Sequence, residues 1–190
     1  MSQPRPPKPA KLVISCLTKD KKVFGEVAQR LSESFGQPDV ISQWLAFENT
    51  DYYKPEMGAP LFRRLMAYHD LMEQEGLPDV KIMTNALENR FATAGKRLVN
   101  MDPGYLLAER FVLATGKNYA HRIYLRAGIY GDLTLVYHKG GFQGLDWTYP
   151  DYAGEGIISF LQCVRDRYMY QIKESGHQRP EVAKTRQSER

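Results

Sequence analysis

Histidine and cysteine are scarce in this chain, four and two among 190 residues, and their spacing limits them as much as their number. No HExxH, CxxC or His-x-His occurs, so a transition-metal centre finds too few donors at ligand spacing. There is no GxxxxGK[ST], which removes a P-loop, and no GxSxG, which removes a nucleophile elbow. The glycines of KGGFQG, residues 139–144, follow a strand pattern and open no helix, so they read as hairpin glycines and not as a dinucleotide cradle. The RNA-recognition signature of a basic residue, glycine and spaced aromatics is missing as well. No apolar run approaches the roughly 20 residues that cross a bilayer. MSQPRPPKPAK has no signal-peptide core. The expectation is a cytoplasmic protein with no membrane contact, no metal and no cofactor. Cys16 and Cys163 read as small core residues of a reducing compartment, with a disulfide between them left open.

A chain 43% hydrophobic and 25% charged has enough apolar surface for one well-buried core and is short for two. The organisation expected is a flexible polyproline-like arm at 1–10, a single α+β domain at 11–173 and a disordered polar tail at 174–190. Arm and tail hold +2 and +1 of the net charge of +4, which leaves the body nearly neutral. The pI of 9.0 therefore argues little for nucleic acid by itself.

Within the body, KLVISCL at 11–17 reads as a buried strand. Thr18 or Asp20 can cap a helix with Val23, Phe24, Val27, Leu31 and Phe35 at helical spacing, stopped by Gly36. Residues 39–48 read as a second strand. LFRRLMAYHDLM at 61–72 fits either period and is taken as a strand. Pro78 and Asp79 open a helix with Val80, Met83, Leu87, Phe91 and Ala94 on its inner side, closed by Gly95. RLVNM at 97–101 is the next strand. This order is βαββαβ, the ferredoxin-like pattern of two helices on an antiparallel sheet. DPGY at 102–105 then reads as a type II turn, and YLLAERFVLATG at 105–116, apolar on most sides, as a buried helix extending that core. A C-terminal antiparallel β-meander and a final amphipathic helix follow, the helix with Ile157, Leu161, Val164, Tyr168 and Ile172 inside.

The meander opens with HRIYLRAGIYGDLTLVYH at 121–138, whose alternation assigns odd apolar residues to one face and Arg122, Tyr124, Arg126, Tyr130 and Asp132 to the other. Because parity survives the turn, the loop must be odd, and Arg126, Ala127 and Gly128 supply it. Leu125 then faces Ile129, Tyr124 faces Tyr130 and Arg122 faces Asp132. Such cross-strand pairs explain the polar face as structure, at about 0.2–1 kcal/mol each. KGGF at 139–142 leads into a third strand.

Four phrases, TDYYKPEMG at 50–58, NMDPGYL at 100–106, LATGKNYAHRIYL at 113–125 and WTYPDY at 147–152, together resemble a bacterial family catalogued as domain of unknown function 4416. The likeness runs from about Lys11 to Tyr170. It implies no activity, substrate or catalytic residue.

The side chains left for chemistry sit at strand ends and turns, where sites gather more than in cores. Asp51, Tyr52 and Tyr53 lie in one loop; Asp102 and Tyr105 flank the DPGY turn; Lys117, His121 and Arg122 enter the hairpin; Trp147, Tyr149 and Asp151 leave the sheet. Each has a structural role to set against this. Asp102 can bond the turn backbone, Asp151 can cap the last helix, and His121, odd in parity, points inward as a hydrogen-bonded core residue. The leading reading is a site for an anionic, ring-bearing small molecule, a nucleotide or phosphorylated metabolite, over the polar face of the hairpin. Lys117 and Arg122 would hold the anion, and Tyr124 and Tyr130 would stack the ring. Asp51, Tyr53, Tyr105 and Trp147 would line the approach, and Asp102, Asp132 or His121 would be the base if a reaction occurs. The alternatives are RNA binding by a ferredoxin-like sheet and a non-catalytic module whose last helix or polyproline arm docks a partner.

Overall fold

A computed structural model describes residues 1–177 of the chain, so most of the tail expected at 174–190 lies outside the described residues. The first strand, β1 (Ala10–Thr18), is buried along its whole length, because both of its faces are covered. Helix α1 (Lys21–Phe35) follows, with Asp20 as its cap, accepting from the Lys22 amide at 2.8 Å, and Gly36 at φ 80° as its stop. The strand expected at 39–48 is broken into β2 (Pro38–Ile41) and β3 (Leu45–Phe47). A short helix, α2 (Lys54–Met57), precedes β4 (Leu61–Met72), which confirms the strand reading of 61–72.

Helix α3 (Leu77–Arg90) ends earlier than its expected stop at Gly95, and a small ribbon, β5 (Ala92–Thr93) with β6 (Lys96–Arg97), occupies that stretch. Its inner stripe also differs from the one expected: Val80 is buried, but Met83 is 43% exposed, whereas Lys81, Thr84 and Glu88 are buried. Polar side chains can hold those places because Lys81 and Glu88 find partners on neighbouring elements and Thr84 donates to the Lys81 carbonyl of its own helix.

The largest correction concerns 102–116. Val99–Leu106 is one strand, β7, with Asp102–Pro103–Gly104–Tyr105 inside it and no turn there; Arg110–Thr115 is β8; the buried helix does not exist. A tight reversal joins the two strands, the Leu107 amide donating to the Arg110 carbonyl at 2.9 Å. YLLAERFVLATG is apolar on most sides because its strands lie between two layers, and a strand buried on both faces loses its alternation.

The hairpin β9 (Arg122–Arg126) and β10 (Ile129–His138), then β11 (Gly141–Gly144), form the expected meander. Tyr124 faces Tyr130 and Arg122 faces Asp132, but Ile129 opposes Arg126 and not Leu125. Ala127 and Gly128 at φ 51° and 76° make a two-residue turn, and a bulge in the ladder restores the parity that an odd loop would have kept. Ile123, expected to face inward, is 70% exposed on this edge strand. The last helix, α4 (Glu155–His177), runs four residues into the stretch expected to be tail and buries Ile157, Leu161, Val164 and Tyr168 as expected. Both cysteines are unbridged; Cys16 is buried, and Cys163 is exposed where a core place was expected.

The main sheet is antiparallel, in the order β11-β10-β8-β7-β1-β4-β2, with β3 beside β4 and β9 beside β10. The fold is therefore mixed α+β, without a barrel. On one face Leu12, Ile14, Met66, Tyr68 and Met101 pack against α1 and α3 through Phe24, Val27, Leu31 and Val80. On the other face Val13, Leu65, Ala67, Phe111 and Leu135 pack against α4.

One break in this sheet makes room for a site. Pairing between β7 and β8 starts at Gly104 and Leu113 and runs only toward the turn, while β8 continues to Thr115 beside β10. The odd residues of β7 turn their backbone groups toward β8, as the Leu107 amide does. By that parity the Pro103 nitrogen faces β8 with no hydrogen to donate, so the ladder stops there and the strands splay. Gly104 marks the last close rung: a Cβ there would lie 2.5 Å from the Val112 carbonyl oxygen and 3.0 Å from the Phe111 ring. Gly104→Ala should cost about 1–3 kcal/mol, because a backbone oxygen cannot step aside. Urea denaturation reads this directly, and an unchanged midpoint would show that the rung is not tight.

Candidate functional site

Beyond the end of α4 the same sheet face turns polar. Ser15 is in register with Asp102, and Asp132 with Leu113, while Arg63 stands two residues along β4 from Leu65, on the same side. Arg63, Asp102, Leu113 and Asp132, the loop around Phe47–Tyr53, the Tyr149–Tyr152 segment and Lys81 of α3 surround a cavity of about 630 Å³. That volume is within the range of about 300–1,000 Å³ usual for small-molecule pockets.

Arg63 anchors the floor. It is only 3% exposed, and its guanidinium donates to Ser15 Oγ (2.5 Å), Tyr152 Oη (3.2 Å) and Asp151 Oδ2 (2.7 Å). The Phe47 and Tyr152 rings flank it at 5.1 and 5.0 Å. Burial works against its charge, but Tyr152, Asp151 and Asp102 together outweigh burial and hold its pKa above the ordinary arginine value. Asp151 is thus the counter-ion of a buried arginine and not the expected helix cap.

Asp102 is held more loosely. Its Oδ2 accepts from Asn100 Nδ2 at 2.8 Å and lies 3.9 Å from Arg63 Nη1, while Oδ1 lies 3.7 Å from Lys81 Nζ. The Lys81 ammonium itself donates to the Met101 carbonyl at 2.8 Å. An acceptor and a donor therefore stand side by side on the cavity floor without satisfying each other.

Behind them runs an ionic network. Arg97 is bidentate to Glu56 at 2.7 and 2.8 Å, and its Nη1 donates to Glu88 (2.8 Å) and to the Asn100 oxygen (2.9 Å). Glu88 also accepts from the Met101 amide at 2.6 Å. The network ties α2, α3, β6 and β7 together around the splayed strands. Burial is the main force on Glu88 and raises its pKa above the ordinary 4.5, against the pull of Lys81 and Arg97. Its proton is bound more tightly in the folded chain than in the unfolded one, so its contribution to stability is fullest at or below pH 4.5 and is lost as pH rises through the raised value. Wild type should therefore lose stability relative to Glu88→Gln between pH 4.5 and 7 in chemical denaturation; a difference that grows in favour of wild type would overturn this.

At the rim Lys117 Nζ donates to Tyr52 Oη at 3.1 Å and sits 4.8 Å from that ring's centre. Tyr52 meets Tyr53 edge-on at 4.9 Å, and burial raises the Tyr53 phenol above its usual range. Arg122 is occupied three ways, by Asp132 Oδ2 (2.9 Å), the Lys117 carbonyl (3.0 Å) and Tyr149 Oη (2.7 Å). It holds the rim in place and has little left for an anion. His121 is bonded to Asp132 at 3.3 Å and stacked on Trp147 at 5.0 Å, and Trp147 donates to the Leu133 carbonyl at 2.8 Å.

Of the side chains expected to form a site, the cavity brings together Asp102, Asp132, Lys117 and Tyr53, with Tyr52, Tyr149 and Asp151. It leaves out Tyr124 and Tyr130, which meet each other edge-on at 5.3 Å, and Arg126, which pairs with Asp79. Tyr105 packs into the cores on either side of the sheet, Asp51 pairs with Lys54 at 2.5 Å, and Trp147 and His121 back the rim. The cavity opens at the split between β7 and β8, beside the hairpin face where the centre of the site was expected. Arg63, Lys81, Asn100 and Arg97 were missed. Two signals point to them: a proline inside an apolar strand pattern, and Lys81 and Glu88 seven residues apart on the buried side of α3. Among the described residues, no group of three or more His, Cys, Asp or Glu is placed to hold a metal ion, and no helix is long and apolar enough to cross a membrane.

No curated protein and no solved structure matches the chain. Residues 8–168, most of its 190, match the family described as Domain of unknown function (DUF4416). On that match the chain belongs to the domain of unknown function 4416 family.

Proposed function

We propose that this protein binds an anionic, ring-bearing small molecule of the phosphorylated class in the cavity where β7 and β8 part. The observation that carries the reading is a concave space of about 630 Å³ with aromatic side chains around it and, on its floor, Asp102 and Lys81, which keep hydrogen-bonding capacity beyond their present partners. In this reading Lys117 keeps the anion-binding role first expected of it, while Lys81 and Asp102 on the floor take the place of Arg122 and Tyr124. The ferredoxin-like description of the first half belongs to the same proposal. It is supported by the antiparallel order β7-β1-β4-β2 with α1 and α3 on one face.

RNA binding has less support, because α4 covers much of the opposite face and so takes the platform on which bases would stack. The test is thermal denaturation of the full chain against nucleotides, phosphorylated metabolites and short RNAs at two salt concentrations. Ligand at about 100 times its dissociation constant adds roughly 2.7 kcal/mol. A salt-tolerant shift with a small molecule is the expected result. A shift with RNA alone that collapses as salt rises would reject the reading.

A further inference from the structure

The charges around the cavity are unevenly divided between floor and rim. On the floor Arg63, Lys81 and Arg97 stand against Asp102, Asp132 and Asp151, three cations for three anions, with Glu56 and Glu88 behind Arg97. A phosphate placed there would meet carboxylates as often as cations while losing its water. The rim is formed by exposed residues, among them Asn49, Thr50, Tyr52, Asn85 and Tyr149. Among the described residues, Lys117 alone of the exposed ones that line the cavity is charged, and no carboxylate lies within ion-pair distance of it, whereas Arg122 behind the rim is taken up by Asp132. An anion gains most at Lys117, where it keeps part of its hydration.

The floor asks for the opposite kind of group. Asp102 Oδ1 accepts and Lys81 Nζ donates, 3.7 Å apart, with Asn100 Nδ2 already committed to the other oxygen of Asp102. Met101 takes one of the three ammonium protons of Lys81. A neutral ring that carries a hydrogen-bond donor beside an acceptor on one edge satisfies both, and each nucleobase has such an edge.

Resting on the small-molecule reading above, we propose that the ligand is a nucleoside monophosphate bound base-inward, its ring edge on Asp102 and Lys81 and its phosphate on Lys117. One rim cation matches one phosphate, and further phosphates would extend into solvent. The base is set by floor contacts and the affinity for phosphate by the rim, so the two are separable by mutation.

The experiment compares adenosine, guanosine, cytidine and uridine with their 5′-monophosphates, by calorimetric titration of the wild-type chain, Lys117→Ala and Lys117→Arg. Wild type should bind one monophosphate at least tenfold more tightly than its nucleoside. Lys117→Ala should abolish that preference without changing nucleoside affinity, and Lys117→Arg should restore most of it. A preference that survives in Lys117→Ala would overturn the orientation while leaving the small-molecule reading intact. Failure of all eight compounds would reject the nucleotide, and the phosphorylated metabolites of the wider panel would then decide whether the small-molecule reading falls with it.

Discussion

Replacing Arg63 with Met should lower the stability of the folded chain by about 3–5 kcal/mol, the usual cost of removing one partner of a buried ion pair. For a domain of this size that is a fall of roughly 10 °C in Tm. The reason lies in what stays behind: Asp151 keeps a charge with no cation at 2.7 Å, and the hydroxyls of Ser15 and Tyr152 lose their shared donor. The Phe47 and Tyr152 rings would lose the guanidinium between them as well. Adding Asp151→Leu to the same chain removes the orphaned charge, so the double variant should recover a substantial part of the loss. Equal stability of single and double variants would mean that the ion pair is not the reason Arg63 matters. The comparison can be read by urea denaturation without any knowledge of ligand.

The second large effect is on binding. Asp102→Asn replaces the acceptor beside Lys81 by an amide and leaves the shape of the floor unchanged. A hydrogen bond to a charged group contributes about 1.5–3 kcal/mol, so the ligand should be held roughly 10–100-fold more weakly. Stability should change little, because Asp102 is 25% exposed and its cationic neighbours stand at 3.7 and 3.9 Å, too far for strong pairing. This split between binding and stability separates a recognition role for Asp102 from a structural one. A variant that loses stability and keeps its affinity would return Asp102 to the scaffold.

These two residues show what could be read from the sequence and what could not. Asp102 was visible as an ionisable residue beside Pro-Gly, yet its setting was misjudged. DPGY has the composition of a turn and stands within β7 because Pro103 faces the side where the ladder has stopped. Arg63 was hidden in a strand whose apolar residues fit two periods, and nothing local marks an arginine that will be buried by Asp151 some ninety residues later. Elements with one covered face were readable: α1 with its Asp20 cap, α4 with its stripe, and the hairpin with Arg122 opposite Asp132. Two strands covered on both faces, β8 and the end of β7, were not, since they lose the alternation that would tell a strand from a helix, whereas β1, equally covered, is a short apolar run that still reads as a strand. The inner side of α3 was misread for a related reason, since Lys81 and Glu88 enter the core by virtue of backbone partners on Met101 and charged partners on Asp102 and Arg97 that no spacing rule reveals.

The measurement that bears most directly on the site is thermal denaturation of wild type and Asp102→Asn with the four nucleoside 5′-monophosphates at millimolar concentration. A rise of several degrees with one of them, strongly reduced in Asp102→Asn, is the result expected from a base seated on the cavity floor. An equal rise in both proteins would place the ligand elsewhere, and no rise in wild type with any of the four would contradict the account.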